Sequence, residues 1–361
     1  MAISEITLHR MRLTLPKPYK VAFKTYTSFD PILVEIQDDS GRIGWGEAHI
    51  PEGYSAHETP EHGLNFCRAR AAAIVGLSAD AAKAEITRHA NESPMATTAL
   101  ITALEMLETH PILKTATETR IPLLANISAK SIDGIPDEVE QHLNAGFATI
   151  KLKVGFDVDD DLNRARACWN SIAGRATFRM DANRNYSTQD ALSFVHGLPS
   201  EGIELLEQPC DSEDWEANAI VAAASPVPIM LDESIYTIDD VEKAGNIKGV
   251  DFVKMKLKRA GGLEKLNGAL KRAEEIGMTG IVGDGVASEI GNWMEARSTA
   301  SLGITAAGEG NGFLKTHTRL LANPLPFENG EIVLPPNYWP EIDRDALDAH
   351  RSGMERFTAP R

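Results

Sequence analysis

From residue 121 onward one pattern recurs, a short β-branched run followed by a helical stretch. The runs are Pro122–Ser128, Thr149–Val154, Thr177–Asp181, Ile203–Glu207, Pro228–Asp232, Phe252–Leu257, Gly280–Gly283 and Ile304–Gly308. Between them lie segments with apolar residues at helical spacing, among them Ile135–Ala145, Asp159–Ala173 and Gly262–Ile276. Alternation of this kind builds a parallel sheet, and eight strands are the number that closes it into a barrel. The span of about 200 residues is near the lower end for that fold. An open doubly wound sheet is the rival, but it would carry a glycine-rich phosphate loop after its first strand, and Asn126-Ile127-Ser128-Ala129-Lys130 is not one.

The chain before residue 121 has a different texture. Ile3–Leu15, Pro31–Gln37 and Ile43–Ala48 alternate like strands, with a turn at Asp38-Asp39-Ser40-Gly41. Glu61–Val75, Ala79–His89 and Ala96–Glu108 then follow as helices, with Pro60 and Ser78 as starts. Sheet followed by helices is an α+β unit. With 361 residues the chain exceeds the roughly 250–300 that one core supports. The expected division is therefore an α+β domain over 1–120, a barrel over 121–323, and a segment over 324–361 that returns to the first domain. That last segment turns at Glu328-Asn329-Gly330 and is too polar for another barrel unit.

Charge narrows the partners. There are 36 Lys+Arg against 52 Asp+Glu, a net charge of −16, which argues against nucleic acid and anionic lipid. No apolar run approaches 18 residues, so no membrane span is expected. Cys67, Cys168 and Cys210 have neither a zinc spacing nor a disulfide framework, and Met1-Ala2-Ile3-Ser4-Glu5 lacks a secretory pattern. The cytoplasm is the expected compartment.

Three of the runs end in an acid: Asp181-Ala182-Asn183, Glu207-Gln208-Pro209 and Asp232-Glu233-Ser234. The acids are 26 and 25 residues apart, close to the roughly 30 of one strand–helix unit, so they stand at equivalent heights on neighbouring strands. One acid at a strand end is usually a helix cap or a solvated turn residue. Three in register repel unless a cation holds them, and oxygen ligands without nearby Cys or His suit Mg²⁺. Glu233 or Ser234 could cap the next helix, leaving Asp232 free. On the second run Lys151 and Lys153 share one face, and on the sixth Lys254, Lys256 and Lys258 do so. Either alternation alone could be an exposed edge guarded by lysine. In a closed barrel, however, strands two and six are opposite, and the lysines would flank whatever the cation holds.

This ordered set, Lys151-Leu152-Lys153, Asp181-Ala182-Asn183, Glu207-Gln208-Pro209, Asp232-Glu233-Ser234 and Lys256 followed by Ala260-Gly261-Gly262, resembles the enolase superfamily, in its muconate-lactonizing and dipeptide-epimerase subgroup. Gly44-Trp45-Gly46-Glu47 resembles the capping domain of that family. The resemblance implies a modified (β/α)₇β TIM-type barrel with an N-terminal α+β capping domain. It implies Asp181, Glu207 and Asp232 as Mg²⁺ ligands, Lys153 and Lys256 as the acid/base pair, Lys151 as the neighbour that tunes Lys153, Asn183 as a supporting residue, and a homo-oligomer. A second subgroup, resembling mandelate racemase, uses a late histidine, and no histidine lies between His196 and His317.

Enolase-superfamily sites are known to pair a Lys or His base with Mg²⁺ that stabilises an ene-diolate. For Lys153 to act as a base, burial, the cation and Lys151 are expected to lower its pKa. Candidate substrate contacts in the cap are Lys24, Tyr26 and Tyr54, although the aromatics could equally be packing between domains. Dipeptide epimerases carry paired aspartates at the eighth strand end, where this chain has Ala307-Gly308-Glu309-Gly310-Asn311. Glu309 could pair with a cationic nitrogen, or cap a helix in solvent. Gly283-Asp284-Gly285-Val286-Ala287 departs from the family's Gly-x-Met-x-Glu, and Asp284 either faces the site or caps a loop. The expected activity is a racemase or epimerase acting on a small carboxylate such as an amino-acid derivative. A dehydratase or cycloisomerase sharing the enolate is the enzymatic alternative, and an inactive ligand-binding homologue the remote one.

Overall fold

The computed structural model describes residues 2–20, 25–52, 58–129, 131–199 and 201–359. The first unit contains strands β1 (Ile3–Met11), β2 (Leu13–Lys20), β3 (Thr25–Phe29), β4 (Ile32–Asp38) and β5 (Ile43–Ala48), then helices α1 (Pro60–Ile74), α2 (Ala79–Arg88) and α3 (Pro94–Leu107). The stretch read as one strand over Ile3–Leu15 is two, broken at Arg12. β1 belongs to a sheet of order β16-β1-β4-β5, whereas β2 forms a separate hairpin with β3. Thr59 and Ser78 cap α1 and α2 by accepting the amide N–H groups of His62 and Ala81.

The Gly44-Trp45-Gly46-Glu47 motif has a steric cause. A Cβ at Gly44 would lie 2.0 Å from the carbonyl of Ala103, and one at Gly46 1.9 Å from that of Ala99. Only glycine lets α3 settle directly onto β5. Their close approach buries Ala99, Leu100, Ala103 and Leu104 completely against the strands and α1. It also leaves Glu47 at the far end of β5, facing the second unit.

That unit comprises β6 (Thr119–Pro122), β7 (Ala125–Ile127), α4 (Ile135–Asn144), β8 (Thr149–Lys153), α5 (Val158–Ile172), β9 (Thr177–Asp181), α6 (Thr188–His196), β10 (Leu205–Glu207), α7 (Trp215–Ala224), β11 (Ile229–Leu231), α8 (Ile238–Gly245), β12 (Val250–Met255), α9 (Leu257–Ala260), α10 (Leu263–Glu275), β13 (Thr279–Val282) and α11 (Glu289–Ser301). The acidic run at 157–161 begins α5, with Asp157 as its cap. A parallel sheet runs β13-β12-β11-β10-β9-β8-β7.

The expected eighth strand, Ile304–Gly308, is not a strand. It touches β7's approach by one parallel bridge, Leu123 to Gly308, and its backbone closes the sheet through three bonds: Gly308 N–H to Pro122 O (2.9 Å), Leu124 N–H to Gly308 O (3.0 Å) and Glu309 N–H to Val282 O (3.0 Å). The crowding explains the short contact. A Cβ on Gly308 would lie 2.6 Å from Val282 O, and one on Gly283, at φ 143°, would lie 2.5 Å from the Glu309 nitrogen, so both positions need glycine. The first run is likewise divided, with β6 leaving the barrel to pair with β15.

After the barrel come β14 (Phe327–Glu328), β15 (Glu331–Leu334), α12 (Arg344–His350) and β16 (Arg351–Thr358). β15 pairs with β6 and β16 with β1, so this segment touches both units. Its first part stays with the barrel, where the apolar Ile332 and Leu334 are buried. Among the described residues no helix is long and apolar enough to cross a membrane.

Candidate active site

The parallel register stacks the predicted residues at one end of the barrel. Lys153 is level with Asp181, and Asp181 with Glu207, on β8, β9 and β10. Asp232 follows β11 directly, and its amide is fixed by the Oε1 of Gln208 at 2.9 Å. Gln208 also accepts the Ser234 amide and donates to the Ser234 hydroxyl, so one buried amide side chain locks the turn that presents Asp232. Ser234 is therefore occupied, and the cap of α8 is Thr237 rather than Glu233 or Ser234.

Lys151 is completely buried and donates to Asp181 (2.8 Å), Glu207 (3.3 Å) and Glu309 (2.7 Å). Lys153 donates to Asp181 (2.5 Å) and to the side-chain oxygen of Asn183 (2.7 Å). Across the barrel, Lys256 donates to Asp232 at 2.7 Å, and Arg259 holds the other oxygen of Asp232 at 2.9 Å. Neither alternation is an exposed edge.

Lys254 is a residue of the site floor whose partners the pattern of lysines did not reveal. It donates to Glu207 at 2.9 Å and to Glu309. Glu309 is 5% exposed and neither caps a helix nor faces solvent; it is clasped by Lys151 and Lys254. Burial alone would raise its pKa, but the two ammonium groups outweigh that and hold the carboxyl well below the usual range. Lys254 is correspondingly held cationic by Glu207 and Glu309 against its own burial.

The carboxylates divide by environment. Lys151 and Lys153 overcome burial and keep Asp181 ionised, Lys256 and Lys254 do the same for Asp232, and Glu207 is pushed up by burial and by the charge of Asp181. The protein's own groups raise Lys153, because Asp181, Glu309 and Glu207 outweigh its burial. Burial lowers it as expected, but the three acids, whose charge the expected cation would offset, outweigh that.

Could these residues hold a divalent cation? Among the described residues no three acids converge as a ready-made metal cluster, because each carboxylate leans towards an ammonium group. The donor set nevertheless suits a hard cation. Three carboxylates end consecutive strands, and the Oε2 of Glu233 is buried beside them with no hydrogen-bond partner, while its Oε1 accepts from Asn183 at 3.1 Å. Oxygen donors with an unfilled lone pair are what Mg²⁺ requires.

Lys153, Asp181, Asn183, Asp232, Lys256, Tyr26, Asp284 and Glu309 line one cavity of about 60 Å³, with Glu233, Lys254 and Lys258. Lys24 and Tyr54 lie outside the described residues. Tyr26 is 5% exposed and packs edge-on against Phe29, so it is both packing and cavity wall. Asp284 is at the cavity, paired with Lys258 at 2.7 Å. Lys258 is pushed down by burial despite that partner.

Lys315, which the sequence reading passed over, donates to Gly285 O (2.7 Å) and Asn311 (2.5 Å) and sits over the ring of Tyr19. Loss of water around its ammonium pushes its pKa down to about 7. An unfolded lysine titrates near 10.4, so the unfolded chain binds more protons between those values and stability rises with pH across that window. Lys315→Met is expected to remove this rise, of at most about 1.4 kcal/mol per pH unit. Urea midpoints of both proteins from pH 7 to 10 check it, and parallel curves would refute the assignment.

A parallel barrel whose rim gathers carboxylates and lysines under an α+β cap is the architecture of an enzyme acting on small molecules. The family model described as enolase C-terminal domain-like matches residues 134–338. The chain belongs to that family. It is 27% identical over 316 residues to the L-Ala-D/L-Glu epimerase of Bacillus subtilis, covering 83% of this chain and 86% of that one. To muconate cycloisomerase 1 of Acinetobacter baylyi it is 26% identical over 353 residues, 93% and 95% of the two chains. The crystal structure of a dipeptide epimerase from Cytophaga hutchinsonii, complexed with Mg and D-Ala-L-Val, superposes with a TM-score of 0.85 over 99% of each chain at 20% identity.

Proposed function

We propose that this chain is a Mg²⁺-dependent racemase or epimerase that removes the proton α to the carboxylate of a small acid, with amino-acid derivatives the first class to consider. The observation that carries the reading is the placement of Lys153 at the end of β8 and Lys256 just past the end of β12, each bonded to an acid of the same triad.

Asp181, Glu207 and Asp232 would hold the cation. When bound, Mg²⁺ supplies positive charge for the substrate carboxylate and offsets the acids that keep Lys153 protonated. The remaining chemistry belongs to the chain. A lysine ε-nitrogen on one face takes the α-proton, leaving an enediolate, and the ammonium on the other face returns one to the opposite side, which inverts the centre. Lys151 holds Asp181 against Lys153, and Asn183 orients the Lys153 nitrogen. Tyr26, Asp284 and Glu309, with Lys24 and Tyr54, are the proposed substrate neighbours; the Asp284–Lys258 pair can meet a second polar group of the substrate.

The lyase reading keeps the same first step, with the enediolate expelling a β-leaving group or reopening a ring, and similarity to a cycloisomerase favours keeping it. The proposal includes the division at 120 and 323 with the last segment returning to the first unit, supported by the pairing of β16 with β1. It also includes a homo-oligomer in the cytoplasm that binds no nucleic acid; the three buried free thiols support the compartment, and the net charge of −16 supports the exclusion of nucleic acid.

Incubation of the Mg²⁺-loaded protein in heavy water with N-acylated, cyclic and dipeptide acids tests the reading. Deuterium incorporation with inversion is the expected result. Loss to an unsaturated or ring-opened product would establish the lyase, and binding without exchange would sink both.

A further inference from the structure

Lys256 and Asp284 both sit on backbone that no regular element controls. Lys256 follows β12 and precedes the single-turn helix α9, while Asp284 follows Gly283, whose φ of 143° only glycine readily adopts. Side chains on such backbone need outside support to hold one orientation.

One buried carboxylate provides it for both. Glu295, on α11, is 2% exposed. Its Oε1 accepts the amide N–H of Leu257, the residue after Lys256, at 3.2 Å; its Oε2 accepts the amide of Asp284 at 3.0 Å. Asn292, one turn earlier, donates to the Asp284 carbonyl at 3.2 Å and to Glu295, and accepts the Phe313 amide at 3.0 Å. The peptide groups at the ends of β12 and β13 are thus tied to the same helical turn.

The helix is itself held from the other unit. Glu47 of β5 accepts the amides of Ser288 (2.7 Å) and Gly291 (3.0 Å) and the Ser288 hydroxyl, closing the N-terminus of α11. A Cβ on Gly291 would approach Glu47 to 3.0 Å, so glycine permits the contact.

We propose that Glu295 is the positioning residue of the Lys256 side of the site, setting Lys256 and Asp284 together, and that Glu47 extends this control to the capping unit. No corresponding bond runs from Glu295 to β8, where Lys153 is fixed by Asp181 and Asn183 instead. Disturbing Glu295 therefore affects one face of the substrate.

The inference rests on Lys256 being one of two bases, and the test separates the two ideas. In Glu295→Gln one oxygen acceptor is lost while the shape is kept. With Mg²⁺-loaded enzyme in heavy water, α-proton exchange from the enantiomer that faces Lys256 should slow roughly tenfold to a hundredfold. Exchange from the enantiomer that faces Lys153 should stay within about twofold, as expected where the disturbed contact is local. Amide hydrogen exchange at Leu257 or at Asp284, whichever faces the new amide nitrogen, should rise about tenfold or more, since that group loses its acceptor. Glu47→Gln, made in the other unit, should give the same asymmetry at smaller amplitude and serves if Glu295→Gln does not fold. Equal slowing of both enantiomers, or unchanged amide exchange at both positions, overturns the positioning role. Should Lys256→Ala retain exchange on both faces, the base assignment fails, and the amide exchange alone decides whether Glu295 secures the strand ends.

Discussion

Alanine at Lys153 or at Lys256 is expected to abolish inversion in both directions while each variant still exchanges the α-proton of one enantiomer. The two ammonium groups approach the cavity from the ends of β8 and β12, so on the proposed mechanism each enantiomer presents its proton to a different lysine. Removing one leaves half of the reaction without its acid in one direction and without its base in the other. The expected loss of racemisation is roughly 10²–10⁴-fold, the range for a positioned acid or base. Chiral chromatography of both enantiomers, with mass spectrometry for deuterium, reads both quantities. Full activity in either variant would refute the two-base assignment.

The second large effect concerns stability. Glu309→Leu removes the carboxylate between Lys151 and Lys254, which are 0% and 1% exposed. Two buried cations then share Asp181 and Glu207, and Glu207 is the acid that burial and Asp181 already hold least ionised. Breaking a buried ion pair from one side costs about 3–5 kcal/mol because an uncompensated charge stays inside. The double variant Lys254→Met, Glu309→Leu removes one charge of each sign and should recover a large part of that loss. Urea unfolding of the three proteins checks both statements; a single variant within about 1 kcal/mol of the parent would show that Glu309 is not the counterion of this floor.

Much of the site was legible because a parallel barrel converts sequence spacing into position. Acids at 181, 207 and 232 arrive at one rim because each ends a strand, and Lys151 and Lys153 point inward together because strand side chains alternate. The alternation of lysines at 254, 256 and 258 read as one strand face, but β12 ends at Met255 and Lys258 lies on α9. Lys254 meets Glu309, Lys256 meets Asp232 and Lys258 meets Asp284, pairings that no local pattern encodes. The eighth run reads as a strand by composition, yet the closeness of Val282 and Pro122 leaves room for only two residues of ladder.

Glu295 carried no sequence signal at all, since an acid inside a helix is ordinarily a solvated one. Only the packing of α11 against the ends of β12 and β13 turns it inward. The sequence by itself determined the fold class, the carboxylate triad and the opposed lysines, because these follow from short-range periodicity repeated at a regular interval. The tertiary structure alone decided which charges neutralise one another, that Glu309 is part of the floor, and that Glu47 and Glu295 link cap to rim. Those depend on contacts between residues far apart in the chain, where distance and desolvation set the energy and spacing gives no warning.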